Sequence, residues 1–575
     1  MINRRRRAAL LAVFTALMLL LTSCSPMLPT EGPVGTSAPD SEQGFNYAPQ
    51  AEPPQSGSSP EQIIDGFIRA GAGSQDDYAI ARQFMSPEAA REWRPDERTI
   101  VYGSDPSILF SGDDTYSTTF QVDAVIDSSG ILTRLPEEAT EIMDFGLEQI
   151  EGEWRITDAP DGTMLIDGTF QQVFQAHTLY FFDPQLRYAV PDQRWFLNRA
   201  GIASEIVGAL LAGPAPYLEP AVVSAFRDGV ELERSSVPVD ESTAMVDLSP
   251  ELVENAEPAE RALMQQQLDL ALTSLSRVTE VEITVAQREF DVPTAAELPE
   301  DERPDYQVSP EVDSTQVGIE GGTLRRQNDQ VTLTIGSLPD IADLDPQAPA
   351  VPNTAAEEVF GFLNGDGNQL YHLRPERAPD LVLEADDLTR PSMDNFGWTW
   401  TASQEGDDAT VHAIAYDESL EPSRAEVSAD WLGSRTITSL RIAQDGARAA
   451  MILDDDGERG LYVAGVIRDS TGIPRGLGQP MRLETSVELE EVRWQGPDAL
   501  YVWANSEDEA MTPERVTLTG ANRADQPLLG LLNISVGEGQ QNVFAETVEV
   551  PFQNLSGDTW VAREDVDVRD LAYPG

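Results

Sequence analysis

The chain runs to 575 residues and carries 99 acidic against 38 basic side chains, a formal net charge of −61 at pH 7. Every basic residue is arginine; the absence of lysine excludes a Walker A lysine, a lysine Schiff base and a Ser-x-x-Lys dyad. Such a surface repels nucleic-acid phosphates and anionic lipid headgroups, and the length suits three or four domains of ~150 residues.

The N-terminus reads as a secretory signal peptide over residues 1–23. Arg4, Arg5, Arg6 and Arg7 form its charged region, and an apolar run follows from Ala8 to Leu21. That run falls short of the roughly 18 residues a spanning helix needs. Leu21-Thr22-Ser23-Cys24 resembles the bacterial lipobox. The resemblance implies that the Cys24 thiol takes a diacylglyceryl group, that cleavage leaves Cys24 as the new N-terminus, and that its amine takes a further acyl (palmitate-type) chain. At about 0.8 kcal/mol per buried CH₂, two or three chains hold a protein stably. The expected location is therefore the cell membrane, lipid-anchored on its extracytoplasmic face. Cys24 is the one cysteine. A disulfide within the mature chain and a metal site built on several thiolates are thereby excluded.

Residues 24–58 hold the lipidated cysteine and a Pro/Gly/Ser/Gln-rich stretch that reads as a disordered tether. An α+β domain is expected over residues 59–182. Ser59-Pro60-Glu61-Gln62 spells a capping box, and Ile63, Ile64, Phe67 and Ile68 fall on one helical face. A second helix is predicted over 76–85, and Ser86-Pro87-Glu88 repeats the capping signal. "TYSTTFQVDAV", "SGILTRL" and "GEWRITDAP" alternate as strands. Helices followed by a curved antiparallel sheet resemble the NTF2-like cone fold, whose copies in exported proteins serve mostly as interaction modules.

A second α+β unit is expected over residues 190–290. Asn198 is placed to cap a helix carrying Ala203, Ile206, Val207, Leu210 and Leu211, and Gly213-Pro214 ends it. "DGVELERSSV" and "STAMVDLS" read as two strands about a turn. A helix is predicted from Glu257 to Leu275, and "VTEVEITV" as a closing strand with Val281, Ile283 and Val285 on one side. "ALLAGPAPYLEP", "AMVDLSPEL" and "LMQQQLDLALTSL" together resemble the GerMN domain. The matching pieces are caps and core positions, so they imply fold and no chemistry. The acidic, Pro-rich residues 291–315 read as a linker.

Residues 316–575 repeat a strand–turn–strand unit. Turns fall near Asn328-Asp329, Gly365-Asp366-Gly367, Glu405-Gly406-Asp407, Asp445-Gly446, Gly496-Pro497 and Gly537-Glu538-Gly539, a spacing suited to propeller blades. "LRIAQDGARAAMILDD" and "VRWQGPDALYVWANS" carry the same order of apolar strand, turn and apolar strand. The reading is a β-propeller of about six blades, with a last strand drawn from elsewhere to close the ring. "LRIAQDGARAA" resembles the blade strand of TolB-like propellers.

Motifs for catalysis are scarce. His177, His372 and His412 lie far apart with no metal-binding spacing, and no Gly-x-Ser-x-Gly elbow occurs. Asp454-Asp455-Asp456-Gly457 fails as a calcium loop, because its glycine would put Ile452 at the first ligand position; it reads as a polar hairpin tip. Trp398, Trp400, Trp494 and Trp503 read as packing between blades, with sugar stacking as the alternative. No catalytic, cofactor or metal residues are assigned; Cys24 is the one predicted site, by lipidation.

The order of lipobox, tether, cone, GerMN unit and propeller resembles the actinobacterial lipoprotein LpqB family across the mature chain. The resemblance implies a non-enzymatic accessory partner of a two-component sensor kinase of the MtrA–MtrB type, contacting its extracellular domain and tuning cell-wall and division functions. Two alternatives stand beside it: a cell-wall glycan-binding lipoprotein, and an exported carboxylate-dependent hydrolase, since three scattered histidines leave only carboxylates for acid–base work.

Overall fold

The computed structural model describes residues 51–575, apart from 136–138, 254, 295, 309, 311, 329–330, 337, 353–357, 407, 422, 540 and 564–565. Cys24 and the signal segment lie outside the described residues. So does most of the expected tether. At 51–58 the chain is already held by the first domain: Ala51 packs on its core, and the Gly57 N–H donates to Glu153 Oε2 at 2.9 Å.

The first module begins with helix α1 (Pro60–Ala70). Ser59 Oγ accepts from the Gln62 N–H, and Gln62 Oε1 accepts from the Ser59 N–H, closing the capping box read from the sequence. Ile63, Ile64, Phe67 and Ile68 are buried, each contributing about 1.5–3 kcal/mol of apolar transfer. The predicted helix over 76–85 shrinks to α2 (Ala79–Arg82), because Asp76, Asp77 and Tyr78 all take positive φ and turn the chain left-handed. Ser86 does cap the next turn, α3 (Ala89–Glu92), its Oγ accepting from the Ala89 N–H.

Seven strands follow: β1 (Arg98–Tyr102), β2 (Ser107–Gly112), β3 (Thr115–Asp127), β4 (Leu132–Arg134), β5 (Thr140–Ile150), β6 (Glu153–Asp158) and β7 (Thr163–Ile166). They form one sheet ordered β6-β5-β3-β1-β7, with β2 and β4 also paired to the long β3. Its interior is occupied by rings: Phe67 meets Trp93 at 5.0 Å and Phe145 at 6.1 Å between centroids.

After a short helix α4 (Asp167–Val173), hairpin β8 (Phe174–Phe182) and β9 (Ala189–Leu197) leads into the second module. Helix α5 (Ile202–Ala212) starts from Gly201 at φ 96° with no side-chain cap, so Asn198 does not cap it. Gly213, at φ 100°, ends the helix as expected. The "DGVELERSSV" segment forms a single bridge, Leu232 to Leu248, in place of a strand. The sheet is β10 (Val239–Asp240), β11 (Thr243–Leu248), β12 (Glu280–Val285) and β13 (Arg288–Glu289), with β11 and β12 parallel. Helix α6 (Pro258–Leu272) crosses between them and ends three residues before Leu275. The buried Gln267 on α6 ties the module together, donating to Tyr180 O at 2.6 Å and accepting from the Ala225 N–H at 2.8 Å. The expected linker is stitched down at several described residues: Leu298 is buried, Tyr306 meets Phe182 ring to ring, and Gln307 exchanges backbone bonds with Arg187 and Ala189.

Among the described residues the rest is six blades, each a four-stranded sheet except the fourth, to which Met481–Leu483 adds a fifth strand. Their inner strands are Arg569–Ala572, Gln347–Ala350, Ser392–Met393, Thr436–Ile442, Glu491–Trp494 and Leu531–Val536, for blades 1 to 6. Blade 1 takes its inner strand from the far end of the sequence: Val317 pairs with Ala572 and Ile319 with Arg569. That strand packs against the inner strands of both blade 2 and blade 6, which closes the ring. The six turns read from the sequence mark six blades but mix registers. Those at Asp445, Gly496 and Gly537 follow inner strands, those at Gly365 and Gly406 join second to third strands, and that at Asn328 joins third to fourth. Any polar hairpin tip looks alike in sequence, whichever two strands it joins.

The modules are fused through apolar packing. One core holds Leu179, Phe181 and Val190 of the hairpin, Ile206, Leu210 and Leu268 of the second module, and Ile452, Val463, Val492 and Val502 of blades 4 and 5. The Gly465 N–H donates to Tyr217 O at 2.8 Å, and a Cβ on Gly465 would lie 2.6 Å from that of Ala221, so the blade touches the module without a side chain between.

Candidate functional site

The chemistry-bearing residues named from the sequence do not converge. His177 is buried with no partner on Nε2, and burial holds its pKa below the usual range. His372 Nε2 lies 3.0 Å from Thr399 Oγ1; burial, aided by Arg374, pushes the imidazole down to about 3. His412 pairs with Ser403 Oγ at 2.8 Å, lowered by burial and Arg424. All three are held toward the neutral form in separate places. Trp398, Trp400, Trp494 and Trp503 are buried, as the packing reading requires. Asp454 caps its own hairpin, accepting from the Gly457 N–H and from Arg459. Among the described residues no group of three metal-ligating side chains gathers.

What the fold does bring together is a charge cluster on the ring axis, to which all six blades contribute. Arg390, entering blade 3, pairs with Asp570 of blade 1 and lies 3.5 Å from Glu491 of blade 5. Arg493 reaches Glu491 at 2.8 Å, and Arg441 of blade 4 lies 3.7 Å from it. Arg441 Nη1 donates to the carbonyls of Arg390 and Pro391, and Ser439 Oγ to Glu491. The Ala348 N–H of blade 2 donates to Asp570, whose own N–H donates to Glu546 of blade 6 at 2.6 Å. Asp570 sits at φ 53°, where the closing strand bulges between its two bridges to Gln316–Glu320.

Electrostatics sorts the three carboxylates. Burial alone would raise Asp570 and Glu491, but the arginines override it and hold both below the usual range. Glu546 receives less help: burial, with Asp570 beside it, pushes it up to about 7. The cluster therefore binds the blades to one another. Removing one partner from such a set costs about 3–5 kcal/mol, because a charge is left buried alone.

Two smaller sets bolt neighbouring blades. Asp394 takes Arg468 at 2.6 Å and Trp400 Nε1 at 2.7 Å, with Arg468 stacked 4.4 Å from the centre of Phe396. Asp445 takes Arg448 at 2.6 Å, and Arg448 donates onward to Pro497 O. A third set joins the first two modules: Arg194 pairs with Asp192 at 2.7 Å and donates to Ser129 O and Gly213 O. Sequence reasoning missed the axial cluster. A signal was present: aligning "LRIAQDG" with "VRWQGPD" puts Arg441 over Arg493, an inner-strand arginine repeated where a core residue would be expected.

Open space of about 350 Å³ adjoins the cluster where Gln347, Arg569 and Asp570 line it. A cleft of about 700 Å³ on blades 2 and 3 is lined by Arg374, Arg377, Tyr416, Glu418 and Arg424 among others. Its arginines are engaged, Arg377 with Glu418, Arg374 with Tyr416 O and Arg424 with Val382 O. No helix among the described residues is long and apolar enough to cross a membrane.

A six-bladed ring locked on its axis, fused to a cone and a GerMN-like module, defines a multi-module β-propeller protein. Three family models match it in order: "Lipoprotein LpqB, N-terminal domain" over residues 53–171, "Sporulation and spore germination" over 178–290, and "Lipoprotein LpqB beta-propeller domain" over 321–574. Lipoprotein LpqB of Cutibacterium acnes is 25% identical over 538 residues, covering 89% of each chain. That of Streptomyces coelicolor is 26% identical, covering 87% of this chain and 86% of its own. Among solved structures, a putative TolB from Agrobacterium tumefaciens aligns at TM-score 0.30 and 10% identity, over 41% of this chain and 87% of its own. Tandem GerMN domains of Bacillus subtilis GerM align at 0.17 and 15%, over 27% and 58%. The chain belongs to the actinobacterial lipoprotein LpqB family.

Proposed function

We propose that this chain is a lipid-anchored, extracytoplasmic adaptor that binds the extracellular domain of a two-component sensor kinase of the MtrB type and adjusts signalling to cell-wall and division functions. One observation supports it most: the modules share one apolar core, the buried Arg468–Asp394 and Arg448–Asp445 pairs are spent on joining blades, and the imidazoles are held neutral in separate places. Such a body suits presenting surfaces better than moving protons. Membership of a lipoprotein family and the Cys24 lipobox support the anchor, with diacylglyceryl and acyl groups on Cys24 holding the protein at the membrane.

The glycan-binding alternative, which draws on propeller or cone aromatics, loses the four propeller tryptophans, since they are buried, and keeps only the exposed Phe110 beside Tyr116 on the cone. The hydrolase alternative finds one observation in its favour, two adjacent carboxylates with opposed pKa directions, Glu546 and Asp570. Both, however, are bonded into the ring: Asp570 by Arg390 and the Ala348 N–H, Glu546 by the Asp570 N–H.

Crosslinking of the mature protein in intact envelopes tests the proposal. The expected result is recovery of a sensor kinase, lost when Cys24→Ser releases the chain from the membrane. Recovery of glycan strands alone, or full membrane retention of Cys24→Ser, would count against it.

A further inference from the structure

The cone module leaves one sheet edge open. β2 pairs with β3 on one side, and among the described residues no strand pairs with the other. Natural edge strands are usually blunted by charge, proline, cover or a bulge, and β2 has only the bulge between Phe110 and Gly112 at its end. β2, "SILFSG", has no charged residue and no proline, and most of it is exposed. Leu109 is 65% exposed and Phe110 63%. Successive residues face opposite sides of the sheet, so each face of the edge offers an apolar contact. On one face Phe110 meets Tyr116 at 5.2 Å between ring centroids. On the other Leu109 stands opposite Ser117, one row from Ile142, itself 67% exposed.

The charge around this edge is predominantly negative. Asp105 precedes β2, Asp113 and Asp114 form the turn after it, and Asp144 lies across β3. From α1, Glu61 joins Asp114 in raising the Tyr116 hydroxyl pKa, after burial; Asp105 and Asp65 do the same for Tyr102. Two arginines of this module are engaged: Arg69 with Asp65, and Arg98 with Glu141.

We infer that the free edge of β2 is a docking site for an extended, positively charged segment of a partner protein, added antiparallel or parallel as a further strand. Main-chain bonds to β2 hold it, alternate side chains meet Phe110 with Tyr116 and Leu109, and its basic residues meet the acids at both ends. This rests on the adaptor reading above and gives that reading a surface and a partner chemistry.

The probe is a fluorescein-labelled ten-residue peptide alternating arginine and valine, titrated by anisotropy against the full mature chain in detergent at physiological ionic strength. An arginine–glycine peptide of equal charge controls for general attraction to an acidic protein. The arginine–valine peptide is expected to bind at least ten times more tightly than the control. Leu109→Ser with Phe110→Ser should remove that preference while leaving circular dichroism and the thermal midpoint unchanged. Hydrogen exchange on the unaltered protein should show peptide-induced slowing confined to 107–112. Equal binding of both peptides, an unaffected double variant, or protection elsewhere overturns the inference. A kinase crosslinked at another face leaves the adaptor reading standing and refutes the edge; slowing at 107–112 with no kinase recovered does the reverse.

Discussion

Glu546→Gln isolates the one acid of the axial cluster that the arginines fail to hold ionised. Its carboxyl titrates at about 7 in the fold, against an ordinary value of 4.5. At 1.36 kcal/mol per pH unit, that gap corresponds to about 3 kcal/mol. The folded chain grips this proton more tightly than the unfolded chain, so it carries the extra proton between pH 4.5 and 7. Stability from this group is therefore complete below pH 4.5, falls as pH rises through that window, and is lost above about 7. Glutamine stays neutral throughout and keeps an oxygen for the Asp570 N–H. Urea unfolding at pH 5, 6, 7 and 8 should find the variant close to the parent at pH 5 and more stable by up to about 3 kcal/mol at pH 8. The difference should grow mostly between pH 5 and 7. Parallel pH profiles, or a variant that is weaker at pH 8, would refute the assignment.

Asp394→Asn leaves Arg468, 1% exposed in its side chain, without its counter-charge, and should lower stability by about 3–5 kcal/mol in urea unfolding. Ser59→Ala removes the α1 capping box at a cost of about 1 kcal/mol, read as a small fall in thermal midpoint. The excess of acids predicts a midpoint that rises with sodium chloride from 10 mM to 1 M as the Debye length falls from about 30 Å to 3 Å; a flat or falling midpoint would contradict it.

Elements marked by a cap or a strong period were legible in the sequence. α1 follows from Ser59 and its i, i+3, i+4 apolar run, and β12 from Val281, Ile283 and Val285. What failed to show was decided at a distance or by backbone conformation. Nothing in the spelling of Asp76-Asp77-Tyr78 announces three left-handed residues, and Asn198 is a sound cap residue, but the helix begins four residues later, at Ile202. The buried polar sets needed tertiary partners to be seen at all. Arg390 and Asp570 lie 180 positions apart and meet only when the ring closes. The six polar turns counted the blades correctly because each blade supplies one conspicuous tip, though not always the same tip.

The origin of blade 1's inner strand orders events in time. During synthesis the strand Gln316–Glu320 is made early and must wait, one flank bare, until residues 569–572 emerge. No nascent chain short of that point can close the circle, however many blades it has completed. Sealing one loop across so long a separation is slow, and afterwards no blade can peel off without breaking the ring. The fold therefore trades a vulnerable birth for all-or-none persistence, and a truncation ahead of Arg569 should be far more damaging than its few lost residues suggest.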